Sequence, residues 1–130
     1  MPDRYAVIRN PVAHSRSPRI HAEFARQTGQ DIVYVRLPAP RGGFRTELAR
    51  FMAHGGMGLN VTVPFKQEAA RACQTLSERA KFAQAVNTLT FSGGSVSGEN
   101  TDGAGLLRDL EHNLGLHLAG LRVLLLGAGG

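Results

Sequence analysis

The sequence predicts an α/β fold: a mixed sheet covered by helices on both faces. Three observations carry that expectation. Short apolar runs of strand type alternate along the chain with segments of helical periodicity. Glycine and proline mark almost every junction between them. The 130 residues, 42% hydrophobic and 19% charged, suit one ordinary domain and fall short of two of typical size.

Tyr5-Ala6-Val7-Ile8 reads as a first strand, ended by Asn10-Pro11. After a loop, Ser17-Pro18 reads as a helix start, with Ser17 as the N-cap and Pro18 at the first helical position. Ile20, Phe24 and Ala25 would form its inner stripe, and Gly29 its stop. Ile32-Val33-Tyr34-Val35 is the second strand, closed before Pro38. Phe44, Leu48, Phe51 and Met52 fall at helical spacing, so an amphipathic helix is expected up to Gly55-Gly56. Gly58 to Val63 alternates as a third strand, with Leu59, Val61 and Val63 on one face and Asn60 and Thr62 on the other. Helices are expected over 65–72 and 77–84. Asn87 to Phe91 and Ser95 to Gly98 flank Gly93-Gly94, a two-residue hairpin turn. A further helix is expected from Thr101 or Asp102 to Asn113, with Leu106, Leu107, Leu110 and Leu114 turned inward and Gly115 at its end.

The formal net charge is +5. Residues 1–65 hold nine arginines against four acids, whereas residues 66–130 balance. The basic side chains are dispersed and not interleaved with aromatic ones, which argues against a nucleic-acid partner and for a small anionic one. One cysteine, Cys73, excludes an intramolecular disulfide and a cysteine-rich metal site, and no metal is expected. No run approaches the roughly 18 apolar residues of a membrane span. Met1-Pro2-Asp3-Arg4 lacks the apolar segment of a secretion signal. The expectation is a cytoplasmic protein with no membrane partner.

The compact apolar run Leu121 to Leu126 suits a strand buried on both faces of a parallel sheet. Gly127-Ala128-Gly129-Gly130 follows it. Strand, glycine-rich turn and helix form the dinucleotide-binding arrangement, in which glycines let the backbone approach a pyrophosphate. A frayed tail gives the same four residues. The strand before them favours the first reading and a chain that is the front part of a longer one.

Four further clusters carry side chains suited to chemistry. In Asn10-Pro11-Val12-Ala13-His14-Ser15-Arg16-Ser17-Pro18, two hydroxyls two residues apart at a helix start can donate to a carboxylate. Taken alone, Ser17 reads as a cap, Ser15 as a loop residue and His14 as structural. In Gly58-Leu59-Asn60-Val61-Thr62-Val63-Pro64-Phe65-Lys66, Lys66 lies just past a strand end, beside the polar face of Asn60 and Thr62. It is one of two lysines against 13 arginines, and an ordinary solvated lysine fits the position as well. The third cluster is Ala85-Val86-Asn87-Thr88-Leu89. The fourth is Gly98-Glu99-Asn100-Thr101-Asp102-Gly103, where Asp102 serves equally as a helix N-cap.

In this order and spacing, with the closing Leu-Leu-Leu-Gly-Ala-Gly-Gly, these segments resemble the NADP-dependent shikimate dehydrogenase family over essentially the whole of 5–130. The resemblance implies a mixed-sheet, three-layer substrate-binding domain over 1–100. A linker helix and the truncated start of a doubly wound Rossmann domain would occupy 101–130. It implies interconversion of 3-dehydroshikimate and shikimate in aromatic amino-acid biosynthesis, with NADP as cofactor and a homodimer at full length. Ser15 and Ser17 would hold the substrate carboxylate. Thr62, Lys66, Asn87 and Asp102 would hold the ring hydroxyls and the reacting oxygen. Gly127, Ala128, Gly129 and Gly130 would meet the cofactor.

Hydride transfer to a ketone leaves negative charge on oxygen, and a proton must reach it. Lys66 and Asp102 would be the catalytic pair: Lys66 the general acid and base, Asp102 orienting it or a substrate hydroxyl. The 130 residues alone are expected to be inactive, because most of the nucleotide site lies outside them. A quinate/shikimate dehydrogenase, and a non-catalytic module holding a small carboxylate, are the alternatives.

Overall fold

A computed structural model describes residues 1–127 of the chain. The first apolar run organises the sheet. β1 (Asp3–Arg9) pairs in parallel with β2 (Ile32–Pro38) on one side and β3 (Gly56–Val61) on the other. The crossovers are the helices α1 (Ser17–Thr28) and α2 (Phe44–Ala53), as parallel pairing requires. α3 (Lys66–Ala72), the two-residue strand β4 (Thr75–Leu76) and α4 (Glu78–Ala83) then lead to a hairpin of β5 (Thr88–Ser92) and β6 (Ser95–Glu99). β5 adds to β3 antiparallel, and β4 closes the far edge beside β6, giving the order β2-β1-β3-β5-β6-β4. The hairpin turn is Gly93-Gly94, with φ of +55° and +77°; both are left-handed values that glycine adopts without steric cost.

Strand alternation divides the sheet into two unlike faces. Ala6, Ile8, Leu59, Val61, Leu89, Phe91 and Val96 turn to one side, where Phe44, Leu48 and Phe51 of α2 and Ala69 and Ala70 of α3 complete a buried core. Phe44 lies against Phe65 with ring centroids 5.6 Å apart, and Phe51 meets Phe91 edge-on at 6.5 Å. The opposite face carries Tyr5, Val7, Tyr34, Arg36, Asn60, Thr88 and Thr90, placed side by side by the register of the strands. α1 lies over this face, chiefly against β2 and next against β1. The expected helices on both faces are therefore present, but the second layer spans just part of the sheet.

Several local expectations shift. β2 runs on to Pro38, because β1 pairs with it residue for residue up to Arg9. β3 ends at Val61, and Val63 is exposed, so it does not share the inward face of Leu59 and Val61. Ser17 is the first residue of α1 and not its cap. Arg16, the capping position, already has near-helical dihedrals, and the Ser15 hydroxyl accepts from the Ser17 amide at 3.3 Å instead. Ile20 and Phe24 are exposed. The sheet-facing stripe of α1 is Ser17, His21 and Ala25, one helical turn apart, because the His21 ring stacks on Tyr34 at 4.0 Å and 11°. Gly29 ends the helix at φ +67°, as expected. Ser77 caps α4, its Oγ accepting from Ala80 N at 3.1 Å. The same hydroxyl donates to Glu99 Oε1 at 2.7 Å. With Arg79 it holds the Glu99 carboxyl below the usual carboxylate range.

Beyond the sheet, α5 (Asp102–Arg108) passes into a wider π-type turn, Asp109–Asn113, ended near Gly115 at φ +65°. Leu106, Leu107 and Leu114 were expected inside and are exposed. Leu121 to Leu126 forms no strand and is exposed, Leu124 at 82%. Both departures have one cause: an apolar stripe or a strand ladder needs a neighbouring surface, and none lies beside these segments among the described residues. Ala128, Gly129 and Gly130 lie outside the described residues. Among the described residues no helix is long and apolar enough to cross a membrane.

Cys73 caps the C-terminus of α3, and its Sγ donates to Ala69 O at 3.2 Å. Burial pushes its thiol up to about 11. Since the thiolate is the reactive form, alkylation of the folded chain by iodoacetamide is expected to be slow at pH 8 and to rise with a midpoint near 11. The urea-unfolded chain should react with the midpoint of an ordinary thiol, about 8.5. Equal profiles for the two states would contradict the buried placement.

Candidate active site

At the end of the sheet where β1 and β3 stop, a cleft of about 420 Å³ opens on the polar face. Its walls come from the loop after β1, the start of α1, the end of β3 and the starts of α3 and α5. Ser15, Ser17, Thr62, Lys66, Asn87 and Asp102 all line it. The six residues singled out in sequence thus come together, although 87 positions separate the first from the last.

Three of them, Ser17, Lys66 and Asp102, are the first residues of α1, α3 and α5. A lysine there is at the unfavourable end of a helix dipole. It is offset by Asp102: Lys66 Nζ lies 2.6 Å from Asp102 Oδ2, with the lysine side chain 19% and the aspartate 53% exposed. Asn87 Nδ2 donates to the other carboxylate oxygen, Oδ1, at 3.0 Å, and to Thr101 Oγ1 at 2.8 Å. Asn87 Oδ1 accepts from the Thr101 amide at 3.0 Å and from Thr88 Oγ1 at 3.1 Å. Asn100 Oδ1 accepts from the Asp102 amide at 3.1 Å, while its Nδ2 donates to Ala85 O at 3.1 Å. The carboxylate is held on both oxygens, by Lys66 and Asn87, while Asn100 anchors the amide of the same residue; Lys66 and Thr62 both line the cleft.

On the facing wall Ser15 is 6% exposed. Its carbonyl accepts from Arg36 Nε and Nη2 at 3.0 and 2.7 Å, which fixes the loop. Ser15 and Ser17 sit together because the Ser15 hydroxyl reaches the Ser17 amide. His14 lines the cleft but is exposed.

Sequence reasoning passed over Arg9, His21 and Tyr34, which also bear on this cleft. Tyr34 OH donates to Asn60 Oδ1 at 2.6 Å, and Ser17 lies close enough to influence the same phenol. His21 Nδ1 is 2.9 Å from Ser17 O. A carbonyl only accepts, so Nδ1 carries the proton. The signal for this group was present: Tyr34 and Asn60 sit on strands that both flank β1, but only the register reveals that they share a face, Tyr34 beside Tyr5 and Asn60 beside Val7 in the next row. Burial is the dominant effect on Tyr34 and raises its phenol, against a smaller lowering by Ser17.

A mixed α/β sheet gathers two hydroxyls, a lysine–aspartate pair and excess positive charge at its polar end, the donors and charge that a small polar anion would need. The family model for the shikimate dehydrogenase substrate binding domain matches residues 7–89. A shikimate dehydrogenase (NADP(+)) of Chromobacterium violaceum is 59% identical over 130 residues, all of this chain and 48% of that protein. An Ael1 enzyme from Pseudomonas putida superposes with a TM-score of 0.93 at 46% identity, over 98% of this chain and 47% of the other. A shikimate 5-dehydrogenase from Listeria monocytogenes, in complex with shikimate and NAD, superposes at 0.84 and 30% identity, over 92% and 41%. The chain belongs to the shikimate dehydrogenase substrate binding domain family, and it spans about half the length of these relatives.

The raised Tyr34 phenol fixes the sign of a pH dependence. An unfolded tyrosine releases its proton near pH 10, whereas the folded one holds it to higher pH. The unfolded state then binds fewer protons, so stability is full below about pH 10 and falls as pH rises above it. Tyr34→Phe is expected to lose about 1 kcal/mol at pH 7, the usual worth of one hydrogen bond, and to flatten the decline in urea midpoint between pH 9 and 11. An unchanged slope would exclude Tyr34 as its source.

Proposed function

We propose that the chain is the substrate-binding part of an NADP-dependent shikimate dehydrogenase, which interconverts 3-dehydroshikimate and shikimate. Residues 1–100 form the substrate domain, and 101–130 lead into the nucleotide-binding part. The observation that carries the reading is the Lys66–Asp102 pair at 2.6 Å, facing two hydroxyls across one cleft. Ser15 and Ser17 take the carboxylate of the substrate. Thr62, Asn87 and Asp102 take ring hydroxyls, and Lys66 reaches the reacting oxygen.

NADPH, when bound, supplies the hydride that reduces the ketone carbon. The protein must supply a proton to the oxygen and withdraw it in the reverse direction. Lys66 Nζ donates that proton, and Asp102 fixes the direction in which the ammonium points. Asn87 in turn fixes Asp102. Gly127 has φ +107°, a conformation open to glycine and suited to the tight turn of a phosphate loop; with Ala128, Gly129 and Gly130 it would meet the pyrophosphate. The same reading gives the whole protein a cytoplasmic role in aromatic amino-acid biosynthesis, as a homodimer.

In the full-length protein, Lys66→Ala is expected to lower kcat by about 10² to 10⁴, the range for removal of a general acid, with KM for shikimate changed only a few-fold. An unaltered kcat would take Lys66 out of the chemistry. Ser15→Ala combined with Ser17→Ala should do the reverse, raising KM for shikimate about tenfold or more with a smaller effect on kcat.

A further inference from the structure

Arg9 is the last residue of β1, two positions beyond Val7, so it shares the polar face with Val7 and Asn60. Its side chain lines the cleft together with Ser15, Ser17 and Lys66. Among the described residues, Arg9 Nε is the one buried side-chain polar atom without a hydrogen-bond partner. None of the ion pairs among them includes Arg9. A buried donor left unpaired is costly, and native proteins nearly always satisfy such groups with protein, water or ligand.

The other cations at the cleft differ in a way that matters. Lys66 is engaged by Asp102, and Arg16 is exposed, so bulk water solvates it. Arg9 alone is both partly buried and free of a carboxylate. With Asp102 already matched by Lys66, the charge of Arg9 is in excess at the wall that carries the two serines. A hydroxyl can donate to a carboxylate, an ester or an amide, more strongly to the ionised acceptor. Ser15 and Ser17 therefore position any of these groups, but being neutral they select for charge less than a cation does. A guanidinium presents donors in a planar fork that matches a carboxylate and carries a permanent positive charge.

Resting on the substrate reading above, we infer that Arg9 is a specificity-determining residue: it takes an oxygen of the substrate carboxylate, beside Ser15 and Ser17, and makes the cleft select the anionic acid over neutral analogues. The Nε–H then gains the acceptor it lacks.

The buried Nε–H offers a direct probe. In ¹H–¹⁵N spectra of the 130-residue chain, its resonance is assigned by its disappearance in Arg9→Lys and in Arg9→Gln. Titration with shikimate is expected to move it downfield, with the amides of Ser15 and Ser17 shifting at the same concentration. Methyl shikimate, the uncharged ester, should move the serine amides and leave Arg9 Nε–H in place. The chain should bind shikimate about tenfold more tightly than the ester, as one charge-assisted hydrogen bond allows. Arg9→Gln should narrow that preference to about twofold, and Arg9→Lys should retain most of it. Serine amides that respond to shikimate while Arg9 Nε–H stays still, or a preference unchanged in Arg9→Gln, overturn the role of Arg9 and leave the substrate reading intact. A folded chain in which no amide responds to shikimate overturns both.

Discussion

Everything at the cleft depends on the two-residue period of β1 and β3. Because Ala6, Ile8, Leu59 and Val61 must all turn toward α2 and α3, their neighbours Val7, Arg9, Asn60 and Thr62 have only the other face available. The hydrophobic effect therefore places the polar groups as firmly as it places the core. A slip of one residue in the pairing of β1 with β3 would bury Asn60 and expose Leu59. It would also carry Tyr34 out of reach of its partner. The helices then add a second condition. α1, α3 and α5 all start at the ends of strands on this side, so each can deliver the first residue of its first turn to the same space.

Alternation and punctuation made most of the sheet and its crossovers legible. The apolar run of β1, the spacing of Phe44, Leu48 and Phe51, and the Gly93-Gly94 turn each depend on a local pattern that tertiary packing reinforces. The failures share the opposite property. The inward stripe of α1 was assigned to Ile20 and Phe24 on hydrophobicity, yet His21 faces the sheet because Tyr34 offers its ring a flat partner. The apolar residues of 106–114 and 121–126 satisfy a periodicity without a surface to bury against. Two-residue β4 carries too little sequence to announce itself; it exists because β6 presents an edge.

The site was legible in a different manner. Ser15, Ser17, Lys66, Asn87 and Asp102 stood out through the company they keep in sequence and through the family that this company resembles, and the fold gathers them. Arg9 and Tyr34 did not, because each has an ordinary residue type at an ordinary strand position. Their meaning is relational. Tyr34 matters through a hydrogen bond to a residue 26 positions away, and Arg9 through a bond that it does not make. Three-dimensional register is needed for the first, and an inventory of donors and acceptors for the second.

The short strand β4 has one more consequence. An edge strand with a long row of free amides and carbonyls is a template on which another chain can polymerise. Here the outermost strand on that side offers only Thr75 and Leu76, and it runs between helices that turn the backbone away at both ends. A sheet terminated so abruptly gives a visiting strand almost nothing to zip onto. The fold thus guards that flank against edge-to-edge growth by brevity alone, without a charged or proline-bearing guard residue within the strand.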